Sequence, residues 1–282
     1  MASDLGFKES PCDLTDFGQV ERLVGQVAPQ TIFHCGAVSG PMVLADQPMA
    51  IWRINALGTG HVLEAARHHR VGRVVVCSTA DVCGDQTGVV DERTLTRPMS
   101  VYAAGKVAAE AAMLGYVNQH SLDAVALRLS WIYRPGRRTL TTLEDILRAG
   151  LTGRAIGVDA APDDITHYLY IGDAVDGLIC AGLTPTLGER VYNITAGQGV
   201  PTRHVVEIIE RLGPKFKITL LRKDTAGGPA SLENHRAARV WGFVRPHRLS
   251  KGCGSTGMRF WDETASGVYP TSSATFRVRS AI

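Results

Sequence analysis

Tyr102 and Lys106 stand four residues apart in the segment Tyr-Ala-Ala-Gly-Lys. If this segment is helical, the two side chains lie on one face, with the ammonium group beside the phenol. A nearby positive charge favours the phenolate and lowers the pKa of a tyrosine below its usual value of about 10. Such a pair could move a proton at a hydroxyl or carbonyl group near neutral pH. The alternative is a solvated helix face without chemistry.

Ser78 and Thr79 follow the apolar run Val74-Val-Val-Cys77. A run without polar alternation is typical of a parallel strand covered on both faces. Open parallel sheets place their reactive groups at the carboxyl ends of the strands. We therefore expect a hydroxyl here to bond a substrate oxygen while Tyr102 moves the proton. The alternative for Thr79 is a residue that caps the turn after the strand.

The elements that must position these residues alternate between strand and helix, which predicts crossover units and a parallel sheet. This pattern predicts an α/β fold with a Rossmann-like, doubly wound parallel sheet and a smaller C-terminal α/β substrate domain. Helices are predicted from Asp16 to Pro29, over 47–69 and over 100–119, and strands at Thr31–Cys35, Val74–Cys77 and Asp123–Leu129.

The pattern loosens after Pro135-Gly136, with a helix near 141–153 and another that begins at Thr202. We predict a dinucleotide-binding part with the catalytic residues over 1–133. A mainly substrate-binding part follows over 134–262, some of whose elements return to the main sheet. Residues 263–282 have little apolar periodicity and are predicted to be an irregular tail.

The charge and composition of the chain argue against several classes of function. The 282 residues carry a net charge of +3, which gives no electrostatic signature for nucleic acid. The N-terminus has no apolar signal region, and no run of 18 apolar residues occurs, so we predict a cytoplasmic protein without a membrane partner. The six cysteines and nine histidines show no metal-ligand spacing, which predicts free thiols and no metal site.

Eight short motifs follow one another over most of the chain. They are Cys12-Asp-Leu-Thr-Asp16, His34-Cys-Gly-Ala-Val-Ser39, Asn55 with Gly58-Thr59, Cys77-Ser-Thr-Ala-Asp-Val-Cys-Gly84, Tyr102 with Lys106, Arg128 to Gly136, Tyr170-Ile-Gly-Asp173 and Tyr192-Asn193. In this order the chain resembles the extended short-chain dehydrogenases/reductases, in particular the NAD-dependent epimerase/dehydratase family.

The resemblance implies an NAD(P)-dependent epimerase or oxidoreductase that acts on a sugar or nucleotide-sugar hydroxyl by hydride transfer. Tyr102 would be the general acid/base, Lys106 would hold the ribose and Thr79 would orient the substrate oxygen. NAD or NADP would be the cofactor, and a homodimer is expected through the helix of Tyr102 and the one before it. The implied cofactor contacts are Asp13, Leu14, Cys35, Gly36, Ala37, Asn55, Ser78, Tyr102 and Lys106.

Some residues of these motifs have other interpretations. Asp13 could be a residue of a turn or helix start. Asn55 is a mediocre helix former in a helical segment, so it either makes a required hydrogen bond or lies at the surface. Asp173 is favoured as a helix N-cap.

The chain also departs from the family pattern. Sugar dehydratases of the family place an Asp-Glu pair directly after the catalytic threonine, and here those positions are Ala80 and Asp81. This difference favours oxidoreduction or epimerisation over dehydration. Cys83 replaces the family's tyrosine, and Trp131 stands where several nucleotide-sugar epimerases have asparagine, which leaves the substrate group open.

The Gly-rich turn that binds the cofactor pyrophosphate is not found before Asp13, where only 12 residues stand. A βαβ unit needs about 30 residues or more. We therefore predict an N-terminally truncated form of a longer enzyme; the alternative is a cofactor-deficient binding or scaffold protein. A literal match at Gly252–Gly257 follows no predicted strand and is interpreted as a loop.

Overall fold

The structure is a computed structural model that describes residues 7–40, 42–134, 141–152, 155–197, 199–212, 218–224, 231–243 and 277–281. Its strands are β1 (Phe7–Pro11), β2 (Thr31–His34), β3 (Arg73–Thr79), β4 (Val89–Val90), β5 (Ala124–Leu129), β6 (Trp131–Tyr133), β7 (Ile156–Val158), β8 (Ile165–Thr166), β9 (Tyr168–Tyr170), β10 (Val191–Ile194), β11 (Val200–Pro201), β12 (Ile218–Leu220), β13 (Ser231–Leu232) and β14 (Arg277–Ala281). Its helices are α1 (Phe17–Val27), α2 (Pro48–Trp52), α3 (Gly58–His68), α4 (Val101–His120), α5 (Thr142–Thr152), α6 (Ile171–Leu183), α7 (Thr202–Leu212) and α8 (His235–Trp241).

The main sheet is parallel, in the order β10-β5-β3-β2. Successive side chains of β3 and β5 point to opposite faces, so one face holds Val74 and Val76 and the other holds Val75. Helices α3 and α4 cover the first face, and α6 and α8 cover the second. This arrangement confirms the predicted α/β fold with a parallel sheet covered on both sides.

The segment predicted as one helix over 47–69 contains a change of helix type. It runs as α2, then as one π-helical turn from Arg53 to Leu57, and then as α3. The π-turn contains the fully buried Asn55, whose side chain bonds a neighbouring loop. Such single π-turns in α-helices are frequent at functional sites.

Helix α4 carries the Tyr-x-x-x-Lys pair and begins where the sequence predicts. The Ser100 hydroxyl caps it by accepting a hydrogen bond from the amide of Ala103 at 3.1 Å. The α4 backbone runs close to the π-turn, because a Cβ placed on Gly105 would lie 3.1 Å from Asn55 Cβ. A side chain at position 105 would push α4 away from the π-turn.

The later part of the chain forms a second, smaller core around α5 and α7. It combines apolar residues of these helices with Tyr133, Val158 and Tyr168. Strand β10 returns to the main sheet beside β5, so the chain is not simply divided into two successive halves. The predicted division at 133/134 stays a proposal that this separate core supports.

Within the predicted tail, residues 277–281 form β14, which pairs antiparallel with β1, while 263–276 lie outside the described residues. The alternating sequence Arg-Val-Arg-Ser-Ala suits a strand, a pattern too short to stand out from sequence. The motif Gly252–Gly257 also lies outside the described residues.

No helix in the described part of the chain has the length and apolar character to cross a membrane.

Candidate active site

A cavity of about 430 Å³ opens at the carboxyl ends of β2, β3 and β5. This is where an open parallel sheet is expected to bind its ligand. Its wall comes from the loop after β2, the end of β3, α4, the segment Leu129–Ile132 and α6. The lining residues are Cys35, Ala37, Val38, Ser39, Gly40, Met42, Cys77, Ser78, Thr79, Asp81, Tyr102, Lys106, Leu129, Ser130, Trp131, Ile132, Arg134, Ile171, Ala174, Val175 and Leu178.

Tyr102 and Lys106 both line this cavity, one helical turn apart on α4. Lys106 is only 4% exposed, and its Nζ donates a hydrogen bond to the Cys77 carbonyl oxygen at 2.7 Å. Burial lowers the pKa of Lys106, and nearby groups, including the Glu110 carboxylate, partly oppose that shift. The tyrosine and the lysine are therefore held at the end of β3 rather than on a solvated face.

Thr79 ends β3 and begins a 3-10 turn over Ala80–Cys83. Its hydroxyl accepts a hydrogen bond from the Asp81 amide at 3.2 Å and also lines the cavity. Thr79 thus combines the turn-capping role with a place in the cavity wall. Asp81 lines the cavity as well, and burial raises the pKa of its carboxyl group despite the hydrogen bond with Thr79.

A buried ion pair lies behind the end of β3. Glu110, one turn beyond Lys106 on α4, accepts from Arg128 Nε at 3.0 Å and from Arg128 Nη2 at 2.8 Å. The Ser78 hydroxyl donates to Glu110 Oε1 at 2.5 Å. All three residues are buried, and the ion pair joins α4 to β5 while the Ser78 bond ties the end of β3 to it.

The loop after β2 is held in place by Asn55. The Asn55 amide oxygen accepts from the Val38 amide at 2.8 Å, and its Nδ2 donates to the Val38 carbonyl oxygen at 3.2 Å. Asn55 therefore lies buried behind the loop. Of the two interpretations from the sequence, a required hydrogen bond and a surface position, the structure shows the first. Cys35 and Ala37, on the same loop, line the cavity.

The remaining predicted cofactor contacts, Asp13, Leu14 and Gly36, are not among the residues that line the cavity. Leu14 is buried, and its Cδ1 would come within 2.8 Å of a Cβ placed on Gly36. Asp13 is exposed, and its carboxylate accepts from both the amide and the hydroxyl of Thr15, each at 2.8 Å. Asp13 thus forms the turn that precedes α1, as its alternative interpretation expected. The prediction that Asp173 is a helix N-cap is wrong, because the N-cap of α6 is Tyr170 and Asp173 is buried in the first turn of that helix.

Other residues of the cavity wall were not among the site residues predicted from the sequence, although they lie in the Arg128–Gly136 motif. Ser130 is buried at the end of β5, and Trp131 and Arg134 follow on and after β6. The Glu110–Arg128 pair had a readable signal, because Arg128 is the one charge in the apolar strand Ala-Val-Ala-Leu-Arg-Leu. Glu110 lies four residues after Lys106, on the same helix face. The apolar α6 residues in the cavity wall could not be told apart from core residues by their sequence pattern.

A parallel α/β sheet with a tyrosine, a lysine and a threonine at its carboxyl edge defines a Rossmann-type protein with a candidate proton-transfer site. The chain belongs to the NAD dependent epimerase/dehydratase family, whose model matches residues 7–195. This finding confirms the resemblance that the eight motifs carried.

Individual relatives agree with this family. The chain is 28% identical to the UDP-glucose 4-epimerase of Mycolicibacterium smegmatis over 266 residues, which cover 89% of this chain and 82% of the relative. The crystal structure of the UDP-glucose 4-epimerase of Thermus thermophilus in complex with NAD is 25% identical, with a TM-score of 0.74 and coverage of 88% and 83%. The UDP-glucose 4-epimerase of Thermotoga maritima, 19% identical with a TM-score of 0.80 and coverage of 90% and 84%, shows the same fold.

Proposed function

We propose that this chain is an NAD(P)-dependent epimerase that acts on a hydroxyl group of a nucleotide sugar. The observation that carries the proposal is that Thr79, Tyr102 and Lys106 line one cavity at the carboxyl edge of the sheet. Family membership and relatives named as UDP-glucose 4-epimerases support the reaction class. Ala80, in the place of a dehydratase carboxylate, favours epimerisation over loss of water.

The cavity wall fits a nicotinamide group. Ser130 Oγ is buried in this wall and has no hydrogen-bond partner within the described ranges of the chain. Such an atom is costly unless a ligand or water satisfies it. A cofactor held there would supply the hydride acceptor and donor of the reaction. The proposed contacts to the cofactor are Asp13, Leu14, Cys35, Gly36, Ala37, Asn55, Ser78, Tyr102 and Lys106.

The chain's own residues carry the proton. Tyr102 Oη takes the proton from the reacting hydroxyl and later returns it to the carbonyl oxygen, as a general base and then a general acid. The Thr79 hydroxyl bonds the same oxygen and fixes its direction. Lys106 uses one of its three donors on the Cys77 carbonyl oxygen. The other two would be available to hold the ribose hydroxyls of the cofactor.

We expect the sugar to lie against Trp131 and the α6 residues of the cavity wall, with the exposed Arg134 toward the phosphates. A guanidinium group suits a diphosphate because it offers planar, bidentate donors. The α6 residues that line the cavity are apolar, which suits the flat faces of a sugar ring and of a nucleotide base.

We also propose a homodimer through α2, the π-turn and α4. Met49, Trp52 and Leu57 expose large apolar side chains there, 63%, 41% and 49% exposed. The adjacent surface of α4 carries small residues such as Ala104, Ala108 and Ala111. Small residues let helices approach closely, so a second copy of the chain could cover these side chains.

The experiment is an assay of the purified chain with NAD or NADP and a panel of UDP- and dTDP-hexoses. Nuclear magnetic resonance of the sugar identifies the product. The expected result is an epimer formed without a change in mass. A product lighter by one water would identify a dehydratase instead. No turnover with any sugar, in a chain that binds NAD or NADP in calorimetric titration, would contradict the proposed substrate class.

A further inference from the structure

Two cysteine thiols meet in the wall of the cavity. Cys35 follows β2, Cys77 is in β3, and their Sγ atoms lie 3.2 Å apart. The two parallel strands pair His34 with Val76, so Cys35 and Cys77 come next in the same register. Both thiols are free, and both line the cavity beside Lys106.

Their backbone positions suit a covalent bond. Neighbouring strands lie about 4.8 Å apart, which is within the range of Cα separations, roughly 4.4–6.8 Å, found across disulfides. The sulfur atoms would have to approach by about 1 Å to reach the S–S bond length of about 2.05 Å. Other described cysteines lack this arrangement: Cys12 and Cys83 are buried in separate clusters, and Cys180 lies on α6.

We propose that Cys35 and Cys77 form a reversible disulfide, which makes the cavity a site of oxidative modification. The bond would join the loop after β2 to the end of β3, within the wall that is proposed to hold the cofactor. It would therefore shift the Cys35 and Cys77 side chains in that wall, next to the Cys77 carbonyl oxygen that accepts the Lys106 hydrogen bond.

The chemistry balances with hydrogen peroxide as the oxidant. The Cys35 thiolate attacks one peroxide oxygen, the O–O bond breaks, and the leaving hydroxide takes up a proton to become water. The Cys77 sulfur then attacks the sulfenic sulfur of Cys35, and the S–O bond breaks to release a second water. Two thiols lose two electrons and two protons, and peroxide is reduced to two waters.

The surroundings favour Cys35 as the first thiolate. The hydrogen bond between the two thiols lowers the pKa of Cys35, partial burial of its sulfur atom raises it, and the Lys106 charge lowers it further. The pKa of Cys77 is raised well above its usual value, first by its bond to Cys35 and then by burial. Cys35 is also the exposed member of the pair, so a dissolved oxidant reaches it first.

The bond itself is tested without an activity assay. The full chain is treated with hydrogen peroxide, free thiols are blocked, and peptides are mapped by mass spectrometry with and without reduction. We expect a Cys35–Cys77 linked peptide pair, two hydrogen atoms lighter than the reduced pair. Cys35→Ser and Cys77→Ser should each abolish this linkage, whereas the control Cys180→Ser should retain it.

The outcomes that would overturn the proposal are both thiols remaining free in oxidised wild-type chain, or either one pairing with a different cysteine. Because wild-type chain gives this readout, the result does not depend on whether a variant folds.

The effect on the cavity rests on the proposed function and is measured separately. A displacement of about 1 Å in an active site can reduce turnover about 100-fold, so we expect at least a roughly tenfold loss of epimerase activity on oxidation. Dithiothreitol should restore it. Each variant is compared with its own reduced sample, and Cys35→Ser and Cys77→Ser should lose little of their own activity on oxidation. A linked chain that keeps full activity would overturn the inference for the cavity but leave the disulfide and the proposed reaction intact.

Discussion

Glu110 and Arg128 show how a buried charge pair supports the site from behind. The pair is 5% exposed at each residue and ties α4 to β5, while Ser78 joins it from β3. Removing one partner of such a pair leaves an uncompensated buried charge. Lys106 lies one turn earlier on α4, so the pair anchors the part of the helix that carries it.

We predict that Glu110→Ala lowers the free energy of unfolding by about 3–5 kcal/mol, because Arg128 and the Ser78 hydroxyl lose their buried acceptor. Denaturant unfolding at neutral pH measures this value. The control is Asp163→Ala, which removes the exposed partner of Arg203 and should lower the unfolding free energy by at most about 1 kcal/mol. Equal losses for the two variants would contradict the role given to Glu110.

His34 adds a pH dependence at the end of β2. It is buried, its Nε2 lies 3.0 Å from Thr59 Oγ1, and burial with the nearby Lys106 charge lowers its pKa from 6.5 to about 3. In the unfolded chain the same ring binds a proton below about pH 6.5. Protonation therefore favours unfolding, and the stability contributed by neutral His34 is present above about pH 6.5 and is lost as the pH falls toward about 3.

The expected slope is about 1.4 kcal/mol of unfolding free energy per pH unit below about pH 6.5. His34→Gln keeps a donor for Thr59 but cannot take up a proton. Its unfolding free energy should therefore fall less steeply than that of the wild type between about pH 6.5 and about pH 5. Parallel curves for the two proteins, measured by denaturant unfolding, would show that His34 does not contribute this dependence.

At the scale of the elements, the π-turn matters most, because it places Asn55 against the loop of Cys35–Gly40. The Asn55 amide satisfies both the N–H and the C=O of Val38, two groups that would otherwise be buried without partners. The turn also packs against α4 at Gly105. One helix segment thus fixes two walls of the cavity.

Asn55→Ala should therefore lower the unfolding free energy by about 1–3 kcal/mol and weaken NAD binding, because the Val38 groups lose their partners. Calorimetric titration and denaturant unfolding measure the two effects. Asn118→Ala, at an exposed position of α4, is the control and should change neither. Unchanged cofactor affinity in a destabilised Asn55→Ala chain would leave Asn55 a purely structural residue.

Periodicity predicted the strands and helices around the site because a covered parallel sheet needs apolar runs such as Val74–Val76. It could not predict the π-turn, since the change depends on a hydrogen bond between Asn55 and a loop 17 residues away. Tyr102, Lys106 and Thr79 could be placed at one edge from the sequence. Ser130 and the Cys35–Cys77 pair could not, because strand register and loop closure bring them to the cavity.

At the scale of the whole molecule, apolar cores cover both faces of the parallel sheet. Some large apolar side chains remain exposed outside these two cores. Those on α2 and the π-turn are assigned to the proposed dimer.

Trp52→Glu should give a monomer in sedimentation velocity, because a charge would be buried at the centre of the interface. Leu183→Glu, on α6 at the opposite face of the sheet, is the control and should leave the dimer intact. A monomeric wild type would contradict the proposed interface.

We propose that Tyr102 moves the proton in the cavity at the sheet's carboxyl edge. The most direct test of this proposal is the turnover of Tyr102→Phe with the nucleotide sugar that the wild type epimerises, measured beside NAD affinity and thermal stability. We predict a loss of about 100- to 10,000-fold in turnover, the usual contribution of a general acid/base, with the fold unchanged and NAD still bound. A Tyr102→Phe chain that epimerises at the wild-type rate would contradict the account.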